Sequence, residues 1–134
     1  MIDQTLLNGT PPDFRNKECT EIVVMEYWYV GKLDEEGNVI HLKVDDQWHR
    51  LYFDYGNIFW RTEKDEEVEF INSSTEVGEY KFRHILKEIK IIKNYEMIEV
   101  KGGSKIELNF TDQERIIFEC INDNTKIHRT NGSN

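Results

Sequence analysis

The stretch from residue 20 to residue 62 constrains the fold more than any other part of the chain. It contains all three tryptophans, and clusters of Asp, Gly, Asn and other turn-forming residues divide it into short apolar runs. Runs of β-branched and aromatic residues separated by such clusters are typical of consecutive antiparallel strands. The sequence therefore predicts a four-stranded β-meander with a hairpin loop at 34–38. Its strands are predicted at Glu21–Val30, Val39–Val44, Trp48–Asp54 and Ile58–Arg61.

A change of period marks the segment Glu79–Lys90. Its apolar residues recur at positions i, i+3, i+4 and i+7, which is the spacing of one helical face. These residues are Phe82, Ile85, Leu86 and Ile89. The sequence predicts a short amphipathic helix here, packed on the sheet, and a strand at 88–93 is the alternative.

The last third of the chain returns to strand-like alternation, with a hairpin turn at Gly102-Gly103. Strands are predicted at 97–101, 105–110 and 115–121. Residues 1–17, which include two consecutive prolines, are predicted to form an irregular leader. Residues 128–134 are predicted to be a frayed tail.

A length of 134 residues fits one domain. We therefore predict that residues 1–134 form a single α+β domain that is mostly β. Its architecture is predicted as a curved antiparallel sheet or half-barrel of about seven strands with one short helix. The sequence has no long apolar run, no signal-like N-terminus and too few cysteines for a disulfide framework. These features predict a cytoplasmic protein with no membrane partner, in which Cys19 and Cys120 are reduced and packed.

The excess of acidic residues lies in one half of the chain. The sequence has 26 Asp and Glu against 17 Lys and Arg, a net charge of −9. Residues 1–76 hold 17 acidic and 7 basic side chains, a charge of −10, whereas residues 77–134 carry +1. Such a field repels nucleic acid and attracts basic partners. We therefore predict no nucleic-acid partner, and we assign the aromatic residues of the meander mainly to the core.

The sequence contains no motif for catalysis or for a cofactor. Its four histidines are far apart, with no Cys or Asp at a metal-ligand spacing. It has no G-x-S-x-G nucleophile elbow, and nothing around Gly102-Gly103 resembles a phosphate-binding loop. We therefore predict a non-enzymatic protein with no cofactor and no metal site.

Acidic and aromatic residues are predicted to meet at the ends of the meander. In an up-and-down meander, the second-to-third loop and the segment after the fourth strand share one end. Aromatic anchors rimmed by charge are typical of protein interfaces, and clustered carboxylates speed association with a basic partner. The predicted partner-binding residues are Asp45, Asp46, Trp48, Tyr55, Trp60, Glu63, Asp65, Glu66 and Glu67. Acidic loops that only keep the protein soluble are the alternative.

The chain resembles the small, acidic immunity proteins that neutralise bacterial polymorphic toxins, including those of contact-dependent growth inhibition systems. The resemblance lies in its size, its acidity, its single predicted domain and the segment WHRLYFDYGNIFWRTE at 48–63. It implies tight one-to-one binding of a toxin C-terminal domain, often a basic nuclease. A β-barrel-like protein that holds a small apolar ligand is the alternative function, because the aromatic strands could face a cavity.

Overall fold

The computed structural model of this protein describes residues 2–131. Eleven strands form one mixed, open sheet, and the only helical elements among these residues are single 3₁₀ turns at Gln4–Leu6 and Asp65–Glu67. The strands are β1 (Leu7–Asn8), β2 (Lys17–Tyr29), β3 (Lys32–Val44), β4 (Gln47–Asp54), β5 (Asn57–Glu63), β6 (Ser73–Ser74), β7 (Gly78–Leu86), β8 (Lys90–Val100), β9 (Gly103–Phe110), β10 (Arg115–Ile121) and β11 (Asn124–Thr130). The mostly-β prediction is confirmed, whereas the predicted seven strands and one helix are wrong in detail.

Strands β2 to β5 form the predicted meander, each antiparallel to the next. Two-residue turns connect them, at Val30-Gly31, Asp45-Asp46 and Tyr55-Gly56, and both residues of each turn have positive φ. Positive φ at both central positions matches the right-handed twist of the flanking strands and is typical of type I′ hairpins. Local turn chemistry and strand alternation therefore account for the second and third hairpins of the meander.

The first hairpin turn lies four residues earlier than predicted. The acidic run at 34–38 belongs to β3, and the carboxylates of Glu35 and Glu36 accept hydrogen bonds from the backbone N–H groups of Thr125 and Ile127 in β11 (3.2 and 3.0 Å). A carboxylate can thus satisfy an edge N–H that has no backbone partner. The run has the composition of a loop, but a contact with the far end of the chain holds it in a strand.

Val30 is a β-branched residue with φ of 48°, in the left-handed region that disfavours such side chains. We expect Val30→Asn to raise the free energy of unfolding by about 1 kcal/mol, because asparagine tolerates this conformation better. Gly31→Ala, at φ of 74° with open space around the added methyl group, should lower it by about 1 kcal/mol. Urea denaturation of both variants measures the effect, and a Val30→Asn variant no more stable than the parent would contradict the prediction.

The predicted helix at Glu79–Lys90 is wrong. Strand β7 pairs with β2, and a short connection leads into β8, which overlaps the alternative strand prediction at 88–93. The register shifts between Leu86 and His84, so that Ile85 is an extra residue in the ladder and both Ile85 and Leu86 face the core. A β-bulge thus buries two consecutive residues and imitates the spacing of a helical face.

Strand β2 organises the sheet, because it pairs with β3 on one side and with both β7 and β8 on the other. The neighbouring strands run β1-β5-β4-β3-β2-β8-β9-β10-β11, with β7 and β6 branching from β2. The meander and the β8–β11 strands contribute to one core. Its fully buried side chains include Ile22, Ile40, Leu42, Leu51, Ile58, Ile92, Ile106, Leu108 and Phe118.

The two ends of the chain are more ordered than predicted. Residues 128–130 belong to β11, so the predicted fraying is wrong for them, and residues 132–134 of the predicted tail lie outside the described residues. The leader contributes β1, which pairs in parallel with β5, and the buried Phe14, which lies edge-on to Trp60. Within residues 2–131, no helix is long and apolar enough to cross a membrane.

Candidate functional site

The meander has one face in the core and one facing outward, which we call the outer face. The register of β3, β4 and β5 arranges its side chains in three transverse rows. The rows are Lys43–Trp48–Glu63, then His41–Arg50–Arg61, then Tyr52–Phe59. Inner and outer residues alternate along each strand, so Leu51 between Arg50 and Tyr52 points into the core.

Residues 64–72 (KDEEVEFIN), which we call the acidic strap, cross the outer face from β5 to β7. The strap is anchored by Phe70, whose ring centroid lies 5.2 Å from those of both His41 and Trp48 and 5.4 Å from that of Phe82. At its far end, Asn72 Oδ1 accepts a hydrogen bond from the Phe82 N–H (2.9 Å). Aromatic edge-to-face packing therefore holds the strap against three strands.

Beneath the strap lies a buried pair, His41 and Glu63, with Nδ1 and Oε1 2.9 Å apart. In the tautomer with the proton on Nδ1, the His41 ring donates this bond to the carboxylate. Burial lowers the pKa of His41, and the bond to Glu63 opposes that shift in part. The arrangement suits a structural pair that fixes the outer face, because the strap covers the imidazole.

Acid is expected to destabilise the protein through its histidines. Burial lowers the pKa of both His41 and His49, so the unfolded chain binds more protons than the folded one below its histidine pKa of about 6.5. The free energy of unfolding therefore rises as the pH rises through the histidine range. It falls as the pH is lowered through the same range. Burial raises the pKa of Glu35, so this residue lowers the free energy of unfolding as the pH rises through the carboxylate range.

Urea denaturation at about pH 7.5 and about pH 5.5 measures this dependence. The parent protein should be less stable at the lower pH, and His41→Gln should reduce the difference without abolishing it, since His49 remains. His128→Gln, a change in an exposed side chain, is the matched control and should leave the difference as it is. Equal pH dependence in the parent and in His41→Gln would contradict the assignment to His41.

The predicted partner-binding residues do not all lie on the surface. Asp45 and Asp46 are exposed in the β3–β4 turn, and the pairing of Trp48 with Glu63 puts this turn at the same end as the strap, as predicted. The exposed acidic residues of the strap are Asp65, Glu66, Glu67 and Glu69. Gln47 joins the two segments, since its Nε2 donates to the Glu63 carbonyl (2.6 Å).

Three of the predicted contact residues are buried, which corrects their expected surface role. Trp48 is covered by Phe70, Trp60 is 2% exposed in the core, and Glu63 is paired with His41. Tyr55 is 82% exposed, but it lies in the β4–β5 turn at the opposite end of the meander.

Sequence reasoning missed the two large, adjacent apolar residues of the strap. Phe70 is its anchor, and Ile71, directly after it, is 68% exposed. Two adjacent large apolar residues at the end of a charged run are a usable signal, since such a run needs an anchor to lie against a sheet. The strap therefore combines an exposed apolar residue with a rim of carboxylates.

The exposed carboxylates of this end take part in no ion pair found among residues 2–131. In the second half of the chain, by contrast, Asp112 and Glu114 pair with Lys90, Glu114 also pairs with Arg129, and Glu107 pairs with Lys105. The charge imbalance of the sequence is therefore also an imbalance of the surface. Ion pairs among the described residues therefore do not neutralise the negative field of the strap and the β3–β4 turn.

Other chemistry finds little support in the geometry. Cys19 and Cys120 are buried and unpaired, as predicted, and burial raises the pKa of the Cys19 thiol to about 12. His41 lies opposite Arg50 in the β3–β4 ladder, and His49 lies opposite Leu42. Because side chains alternate between the two faces of a sheet, the two histidines lie on opposite faces. Residues 2–131 contain no group of three or more His, Cys, Asp or Glu side chains placed to hold a metal ion.

Two clefts between described residues are open grooves at the surface. One is lined by Tyr55, Gly56, Gly102 and Gly103 beside Asp123, and another by the β9–β10 connection. The space between the two halves of the sheet is filled by buried side chains. Neither groove is the cavity lined by aromatic strands that the apolar-ligand function requires.

No protein-family model, no curated protein sequence and no solved structure matches this chain. The function is therefore proposed from the geometry and charge of the chain itself.

Proposed function

We propose that this chain is a non-enzymatic immunity protein whose acidic strap and β3–β4 turn bind a basic toxin domain in the cytoplasm. The observation that carries the proposal is the set of exposed carboxylates, on adjoining segments, that make no ion pair with any residue between 2 and 131. These residues are Asp45, Asp46, Asp65, Glu66, Glu67 and Glu69. Unpaired carboxylates on one surface raise the local concentration of a basic partner and speed its association.

The strap also supplies the apolar contact that charge alone does not provide. Ile71 projects from the same segment as the carboxylates and is 68% exposed. An apolar centre with a charged rim is the usual anatomy of a specific protein interface. Phe70 and the His41–Glu63 pair below it hold the strap in place, so the binding surface is organised before the partner arrives.

The test begins with the C-terminal domain of a large secreted protein encoded immediately upstream of this chain. We expect that domain to be basic, to bind this protein one to one with nanomolar or tighter affinity, and to be inactivated by it. Titration by calorimetry measures the affinity and the ratio. A domain that does not bind, or a gene neighbourhood that holds no such protein, would contradict the immunity proposal.

Reversing two strap charges should slow this association. We expect Glu66→Lys combined with Glu67→Lys to lower the association rate constant roughly tenfold at low salt, with a smaller effect at high salt. Both side chains are exposed, whereas Asp45 is less suitable because its carboxylate also accepts a hydrogen bond from the Glu18 N–H (3.0 Å). Stopped-flow mixing over a series of salt concentrations measures the rate.

The matched control is the double reversal Glu96→Lys with Glu99→Lys. Both residues are exposed on β8, neither is in an ion pair found within residues 2–131, and the change in net charge is the same. The control should slow association much less than the strap variant. Equal slowing by both variants would mean that net charge, and not the strap, governs the encounter.

A further inference from the structure

The middle row of the outer face is extended by β2 and β7 into a row of basic side chains. Across the five strands it reads His84, Val23, His41, Arg50 and Arg61. Three of the four basic side chains have a polar partner: His84 lies 3.4 Å from Glu21, His41 lies 2.9 Å from Glu63, and Arg61 Nη2 donates to Asn8 Oδ1 (2.7 Å). Arg50 is the exception.

Arg50 has no hydrogen bond or ion pair to any residue that the structure describes. Its Nε is buried and unpartnered, the one such side-chain nitrogen or oxygen atom found among residues 2–131. A guanidinium cannot lose its proton, so the group stays charged. Its charge acts on its neighbour: after burial, the positive field of Arg50 is a further cause that lowers the pKa of His41. A buried donor without an acceptor is costly, and native proteins seldom leave one unsatisfied.

The neighbours of Arg50 make the arrangement more unusual still. Arg61 lies directly opposite it in the β4–β5 ladder, and like charges in that position repel each other. In the next row the rings of Tyr52 and Phe59 stack at 4.7 Å with an interplanar angle of 8°, and each guanidinium lies 5.8 Å from one of these rings. The aromatic pair holds the two cations in place, and Glu63, one row away, is already bonded to His41.

We propose that Arg50, supported by Arg61, is an oxyanion-binding site on the outer face beside the strap. The group it takes is a carboxylate or a phosphate, because two coplanar oxygens match the paired N–H groups of a guanidinium. An anion bound here supplies the counter-charge that Arg50 lacks among the described residues and cancels the repulsion between the two arginines. This site does not depend on the proposed function, since it concerns an anion and not the basic surface of a partner.

The test uses small anions and the complete chain. Arginine Nε–H resonances are followed by nuclear magnetic resonance while acetate or inorganic phosphate is added at constant ionic strength, balanced with sodium chloride. We expect the Arg50 Nε–H resonance to move in a saturable way, and the exposed Arg115, in a different part of the sheet, to move little. Saturation by both anions identifies a site for carboxylate groups, such as those of acidic side chains, whereas saturation by phosphate alone identifies a site for phosphate groups.

Variants separate a built site from general charge attraction. Arg50→Lys keeps the charge but removes the fork and the Nε–H, and we expect the anion affinity, read from the backbone amides of Tyr52 and Arg61, to fall about tenfold. Arg50→Gln should abolish saturation without lowering the melting temperature, since it relieves a like-charge pair. Arg115→Gln is the matched control and should change neither the anion affinity nor the melting temperature. Linear shifts without saturation, or an Arg50→Lys variant that binds as well as the parent, would overturn the proposal.

Discussion

Replacing Trp60 with alanine is expected to lower the free energy of unfolding by about 3–5 kcal/mol. The side chain is 2% exposed, lies edge-on to Phe14 and Tyr95, and directs its Nε1–H at the Met97 sulfur (3.5 Å). Truncation leaves a large cavity between the leader, the meander and β8, and a filled core cannot close it completely. Urea denaturation followed by circular dichroism measures the loss, and the melting temperature should fall by roughly 10 °C or more.

Tyr55→Ala is the matched control for this prediction, because both residues are aromatic side chains that the sequence marks as contact residues. Tyr55 is 82% exposed, so its truncation should change the free energy of unfolding by less than about 0.5 kcal/mol. If Trp60→Ala cost no more than Tyr55→Ala while weakening partner binding, Trp60 would be a surface anchor after all and its placement in the core would be wrong.

Replacing His41 with alanine is expected to cost about 3 kcal/mol, which is large for a polar residue. The change leaves the Glu63 carboxylate buried beneath the strap without its partner, and Phe70 loses the ring against which it packs. The cost comes mainly from the uncompensated carboxylate, since removing one member of a buried pair is worse than removing both.

A double-mutant cycle with Glu63→Leu tests that explanation. The double variant His41→Ala with Glu63→Leu should be more stable than the sum of the two single losses predicts, because it buries no unpaired charge. Lys43, in the same row as Glu63 but only half-buried, provides a control as Lys43→Ala, which should cost less than about 1 kcal/mol. Additive losses for His41 and Glu63 would show that the two side chains do not act as a pair.

The meander was predictable because its determinants are local. Val39–Val44 and Trp48–Asp54 alternate strictly, and Asp45-Asp46 and Tyr55-Gly56 have the chemistry of tight turns. The helix prediction failed at one residue: the bulge at Ile85 depends on how β7 meets β2, which no local pattern encodes. The loop predicted at 34–38 failed because Glu35 and Glu36 bond to residues some ninety positions away.

The sequence predicted where the acidic residues of the candidate site lie, but it did not predict which of its aromatic residues are buried. Topology alone brings the β3–β4 turn and the segment after β5 to one end, and the acidic residues there are exposed as expected. Whether Trp48 is buried depends on the path of residues 64–72, since Phe70 of the strap covers it. Sequence spacing carries no information on that path.

The central claim, that the acidic strap and the β3–β4 turn form the binding surface, is tested most directly by amide hydrogen exchange. The exchange of the free protein is compared with that of its complex with the proposed basic toxin domain. We predict that protection on binding concentrates in residues 44–48 and 64–72, and that β8 to β11 exchange as in the free protein. Protection confined to β8–β11, with the strap unchanged, would contradict the claim.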